Sequence, residues 1–368
     1  MTRNTAHRRR FLQTVGAAGA VAVAGCVGGD ESGGDTNENR SDESSDESSE
    51  DGLPKAETLD VDRIAADPTD VPDPVDWSEP REHDLTFRTE ELTAEVEPGV
   101  TYEFMTYEGQ VPGPMVRVRE GDRVNLTFEV PEDANAFQHN VDFHAVYGPG
   151  GAAVDTTLDP GDDAAEVSFT AEYPGVFIYH CAVPDMDTHI TSGMFGAILV
   201  EPEEGLPEVD REFYLGQHEL YTDGEPGEEG HHSIDIDAMK AEDPTYVLFN
   251  GEAAAFTEDA RGSLDAETGE TARVYFANGG PNLTSAWHPI GNVWSRLYRD
   301  GDLESEPARN VETTPVAPGT VTAGEMEFPV PGPVKIVDHA LSRVVHRGAI
   351  AEIDVDGEAD EDVYDGGE

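Results

Sequence analysis

Short blocks of alternating apolar and polar residues, closed by glycine, proline or aspartate, occur twice along this chain in similar order. The first half reads E-G-D-R-V-N-L-T-F, P-G-D-D-A-A-E-V-S-F, P-G-V-F-I-Y-H-C and G-M-F-G-A-I-L-V. The second half answers with E-T-A-R-V-Y-F, A-P-G-T-V-T-A-G-E-M-E-F, P-G-P-V-K-I-V-D-H and H-R-G-A-I-A-E-I. A period of two over so short a span gives a strand one buried face, and the punctuation marks turns. Only Asp235 to Ala241 offers a turn or two of helical pattern. The pattern predicts an all-β chain of two tandem Greek-key β-sandwich or barrel domains, at 60–205 and 206–357, joined near Glu201 to Pro207. At 368 residues the chain has room for both cores.

Charge narrows the setting. The chain carries 78 acidic residues against 22 basic ones, a net charge of -56, and the excess runs throughout. Such a surface repels a polyanion, so nucleic acid is excluded as a partner. In molar salt the screening length shrinks to about 3 Å, and self-repulsion becomes tolerable. The expectation is a protein of salt-saturated surroundings, of haloarchaeal type.

The ends read as processing and tether. Arg8 and Arg9 with Phe11 and Leu12, then an apolar run too brief to span a bilayer, resemble a twin-arginine export signal over residues 1–26. V-A-G-C at Val23 to Cys26 resembles a lipoprotein cleavage box, with Cys26 lipidated. Residues 27–59 form an acidic linker and 358–368 an acidic tail, both too polar to pack. The expected location is the outer face of the cytoplasmic membrane, anchored by lipid at Cys26 only.

With Cys26 assigned to processing, Cys181 has no disulfide partner, and metal ligation becomes the reason for an exported free thiol. Adjacent residues of an extended run face opposite ways, so His180 and Cys181 cannot share an ion while the strand persists. F-Q-H-N-V-D-F-H repeats the situation with His139 and His144. The odd-numbered His139, Cys181 and His189 form one set, joined by Met194. Two imidazoles, a thiolate and a weak thioether match a blue-copper electron-transfer site. Zinc would ask for more thiolate or four strong ligands. Met186 lies in the same stretch, but the Cys-x7-His-x4-Met spacing favours Met194. The even-numbered His144 and His180 belong to a second site. They lack a third imidazole, for which the repeat offers His288 in A-W-H-P-I-G and His339 in I-V-D-H. Asp142, two before His144, shares its face if the segment is extended.

These stretches, H-N-V-D-F-H, Y-H-C-A-V-P, H-I-T-S-G-M, W-H-P-I-G and V-D-H, resemble the copper-containing nitrite reductases from about Leu85 to Asp356. The resemblance implies two cupredoxin domains and a homotrimer with one type 1 and one type 2 copper per subunit. His139, Cys181, His189 and Met194 would hold type 1 copper. His144 and His180, with His339 from the neighbouring subunit, would hold type 2. An electron would pass through Cys181–His180 to the type 2 copper, where nitrite becomes nitric oxide and water. Asp142 would deliver a proton, partnered by His288 across a water. Ile290 resembles the apolar residue placed over the type 2 copper, and Pro289 departs from the family pattern. The expected donor is a small blue-copper protein of halocyanin type.

Two other functions fit the residues less well. A laccase-like multicopper oxidase needs paired H-x-H motifs, and none occurs, Cys181 being followed by Ala182. A blue-copper electron carrier would need neither a second set of histidines nor a second domain. His346 aligns with Met194 in the repeat but lacks companion ligands. His218, His231 and His232 read as structural or solvent-facing. Asn125 and Asn282 begin N-L-T sequons, that of Asn282 being the poorer glycosylation acceptor so close to His288.

Overall fold

The computed structural model describes residues 63–258 and 260–366. The export signal, Cys26 and the linker at 27–59 lie outside them. Every block quoted above becomes a strand. Those of the first half are Arg123–Glu129, Ala165–Thr170, Gly175–His180 and Phe195–Glu201; those of the second are Thr271–Gly280, Thr320–Glu327, Gly332–Asp338 and Ile350–Asp356. They belong to four sheets, two built mainly from each half, in a cupredoxin-like arrangement of tandem β-sandwiches.

Two strands depart from simple pairing of antiparallel neighbours within a half. Glu82–Glu97 pairs antiparallel with Val100–Tyr107 through its later residues and parallel with Arg123–Glu129 through its earlier ones. Gly230–His232, late in sequence, extends the first half's sheet by pairing parallel with Val100–Tyr107. Helix is confined to short pieces. Ile236–Lys240 falls where the sequence allows it, and the Asp235 carboxylate caps it by accepting from the Asp237 and Ala238 N–H groups. Met186–Thr191 turns the stretch carrying His189 into a short helix.

Burial follows the alternation in Arg123–Glu129 and Ile350–Asp356, whereas Phe195–Glu201 is buried on both faces. One apolar cluster fills the first half around Phe87, Tyr107, Phe128, Phe143 and Tyr179, and it includes Cys181 and Met194. Another fills the second half around Trp287 and Trp294, whose rings stack at 3.8 Å between centroids. A third lies between, with Phe104 and Phe195 against Leu220, Tyr275 and Val321. Beside it runs a ladder of buried ions. Arg117, from Val116–Arg119, bonds Glu201 and reaches Glu212 at 2.6 Å. Arg273 bonds Glu212 at 2.9 Å and Glu325 at 2.7 Å, and Arg296 bonds Glu325 at 2.8 Å. The seam between the halves is thus part apolar and part ionic.

Candidate metal centres

Among the described residues, two groups of three side chains bring ligand atoms within 4.8 Å of one another: His139, Cys181 and His189, and Asp142, His144 and His180. They lie back to back at the end of Gly175–His180, the last strand residue serving one group and the next residue the other.

In the first group, Cys181 Sγ is 3.6 Å from His189 Nδ1 and 4.0 Å from His139 Nδ1, with the two rings edge to face. Cys181 and Met194 are fully buried. The backbone gathers the set: Cys181 N–H donates to Met194 O, and Met194 N–H to His189 O. Asn140, directly after His139, accepts the Ala182 N–H at 2.6 Å and so ties the two ligand segments together. Burial raises the Cys181 thiol to about 11 against the pull of nearby backbone N–H groups. Burial lowers His189 to about 4, with His139 beside it adding to the effect. A buried thiol therefore needs a cation to become thiolate, and His189 is a neutral donor at physiological pH. The donor set suits copper.

His139 also meets a residue that sequence reasoning missed. Its Nε2 lies 2.9 Å from Glu91 Oε1. Burial works to raise the Glu91 carboxyl, but bonds from His139 and from the Phe137 and Ala136 backbone outweigh it and hold it below the usual range. No spacing in the sequence points to Glu91; only the fold brings it there.

The second group is assembled by strand register. Asp142 and Phe143 pair antiparallel with His180 and Tyr179, so Asp142 stands opposite His180 on one face. His144 follows two residues later, its N–H donating to Ile178 O. His144 Nε2 and His180 Nε2 converge at 3.0 Å. His180 Nδ1 faces Cys181 O at 2.9 Å, and a carbonyl only accepts, so Nδ1 carries the proton and Nε2 offers its lone pair. Burial lowers His144, and His180 adds to this while Asp142 opposes it. Two imidazoles thus face one point beside a carboxylate, which also fits a copper ion. Gly151 makes the carboxylate's position possible. At φ +57°, a Cβ there would fall 2.1 Å from Asp142 Oδ1.

His339 and His288 do not join this group within one chain. They pair with each other, ring centroids 5.0 Å apart. His339 follows the strand Gly332–Asp338 as Cys181 follows Gly175–His180. The turn is held by buried Asp338, which accepts from the Ala286 and Ala340 N–H groups and pairs with Arg343 at 2.6 Å. His288 donates Nδ1–H to Glu312 O at 2.7 Å, leaving Nε2 free of that bond. Pro289 is a strand residue opposite Ile336, and Ile290 is partly exposed.

The remaining residues have structural surroundings. His346 is exposed on the short helix Ser342–Arg347. His218 is buried and bonds Thr191 O at 2.9 Å; His231 faces Thr101, and His232 faces Thr222 and Glu228. Asn282 donates to Tyr221 and to Met239 O, which occupies its amide. Asn125 is engaged with Asp84 and Ser168.

A sequence model of the multicopper oxidase family matches residues 88–205. A copper-containing nitrite reductase of Neisseria meningitidis serogroup B is 42% identical over 83% of this chain and 76% of that protein. Another, of Cereibacter sphaeroides, is 34% identical over 71% of this chain and 73% of its own length. The solved copper nitrite reductase of Nitrosomonas europaea superposes with a TM-score of 0.68 at 34% identity, over 76% of this chain and 95% of that one.

Proposed function

The chain belongs to the copper-containing nitrite reductase family, and on that premise we propose that it reduces nitrite by one electron and two protons to nitric oxide and water. The observation that carries this reading is the pair of back-to-back ligand groups joined by the His180–Cys181 peptide. His139, Cys181, His189 and Met194 would hold one copper, His144 and His180 a second, and copper when bound supplies the one-electron chemistry.

The protein's own residues do the rest. Cys181 and His180 give the two groups their shortest covalent connection, reinforced by the bond from His180 Nδ1–H to Cys181 O. Asp142 stands where its carboxylate can orient bound nitrite and hand over a proton. His288 has its Nδ1–H tied to a carbonyl, which sets its ring to hold the second proton at Nε2. Positioned groups of this kind contribute about 10²–10⁴-fold. His339, paired with His288 rather than with His144 and His180, supports completion of the site by a second copy, and the family resemblance makes that assembly a homotrimer. A small blue-copper protein is the inferred donor, Cys26 the inferred lipid anchor after twin-arginine export, and high salt the inferred setting.

Copper EPR in molar salt, before and after nitrite, tests the reading. Two copper signals per chain, with only the one lacking thiolate character altered by nitrite, are expected. A single thiolate signal indifferent to nitrite in fully loaded protein would leave an electron carrier instead.

A further inference from the structure

His139 is held from behind. The side chains of His139 and Glu91 are 0% and 5% exposed, and they meet at 2.9 Å. The same carboxylate oxygen accepts the Phe137 N–H at 2.9 Å. Glu91 is fixed in turn by its strand: it pairs with Met105, and its own N–H donates to Ala134 O at 2.9 Å. One carboxylate therefore grips both ends of the segment Phe137 to His139.

A carboxylate can only accept, so the His139 proton stays on Nε2 and the Nδ1 lone pair is turned towards Cys181 Sγ. A bond from imidazole to an anion also makes the opposite nitrogen a stronger donor to a metal. Stronger donation favours the oxidised ion over the reduced one. We propose that Glu91 is a positioning residue of the Cys181 centre, one that fixes the tautomer of His139 and lowers the reduction potential of a copper held there. This rests on the copper reading of that group. The rival role is a plain anchor for the segment 136–139, and it makes a different prediction. Glu91→Gln keeps the shape and an acceptor oxygen but removes the charge, so an anchor would survive it.

The test is a redox titration of the thiolate-to-copper absorption band in wild type and Glu91→Gln, with Cu(II) and Cu(I) affinities by chelator competition. The expected variant keeps the band, loses about 10–100-fold in Cu(II) affinity, loses less in Cu(I) affinity, and so titrates at higher potential. An unchanged potential with unchanged affinities overturns the proposal. A wild-type protein without the band, when copper-loaded, sinks the copper reading itself, which is a separate result. Should Glu91→Gln fail to fold or load, NMR of Cu(I)-loaded wild type decides. A slowly exchanging proton on His139 Nε2 is expected, and a proton on Nδ1 or in rapid exchange overturns it.

Discussion

At the scale of single residues, the group of Asp142, His144 and His180 depends on an absent side chain. With a Cβ at Gly151 the Asp142 carboxylate must move, since the two would stand 2.1 Å apart. Gly151→Ala should cut nitrite turnover about 10²-fold by misplacing Asp142, while the absorption of the Cys181 centre stays as it was. Full turnover in that variant would remove Asp142's position from the explanation. Asp142→Asn should cost about 10²–10⁴-fold with copper content unchanged. His218 carries a pH effect. Burial lowers it to about 4 in the fold, against about 6.5 in the unfolded chain. Above about 6.5 both states are neutral and stability is full; between there and 4 only the unfolded chain takes the proton, so stability falls with pH. The loss is roughly 3 kcal/mol by pH 4. Urea midpoints at pH 7 and 4.5 in molar salt check it, and His218→Gln should show the shallower drop. The convergence of His139, Cys181 and His189 was legible because Cys181 and His189 stand close in sequence and strand parity put His139 on the matching face. Glu91, 48 residues before His139, and Gly151, whose role is a backbone angle, were not. Both become visible only when strands are paired.

At the scale of elements, alternation marked strands with one drier face, such as Arg123–Glu129 and Ile350–Asp356, while Phe195–Glu201, buried on both faces, was marked by its short apolar run between turn residues. It did not disclose Met186–Thr191, a helix of six residues whose N-cap makes no side-chain bond, unlike Ile236–Lys240 with its capping Asp235. Nor did it show that Gly230–His232 would cross to the first half's sheet, since three residues carry no register of their own. The ion ladder was equally silent, being made of arginines and glutamates indistinguishable in sequence from surface charge. Its energetics follow from burial. Arg273 is 2% exposed and serves Glu212 and Glu325 together. Arg273→Met should therefore destabilise the protein by about 3–5 kcal/mol, the cost of leaving buried charge uncompensated. Because buried pairs are screened far less than exposed ones, the loss should be similar at low and molar KCl. A loss that vanishes in molar salt would place these charges at the surface instead.

At the scale of the whole molecule, a net charge of -56 must be tolerated by a fold of ordinary size. Nitrite is itself an anion, so turnover should climb steeply as KCl is raised from dilute buffer to molar concentration. Flat activity across that range, with the fold intact by circular dichroism, would count against screening as the cause. The ladder of Arg117, Glu201, Glu212, Arg273, Glu325 and Arg296 answers to different rules, because its three positive and three negative charges match and all but Arg296 are largely out of reach of the solvent. In fresh water the molecule should fray from the rim inward while its waist stays fastened. Brine returned in time would then find the two halves still aligned, and recovery would be a matter of closing edges instead of searching for a partner.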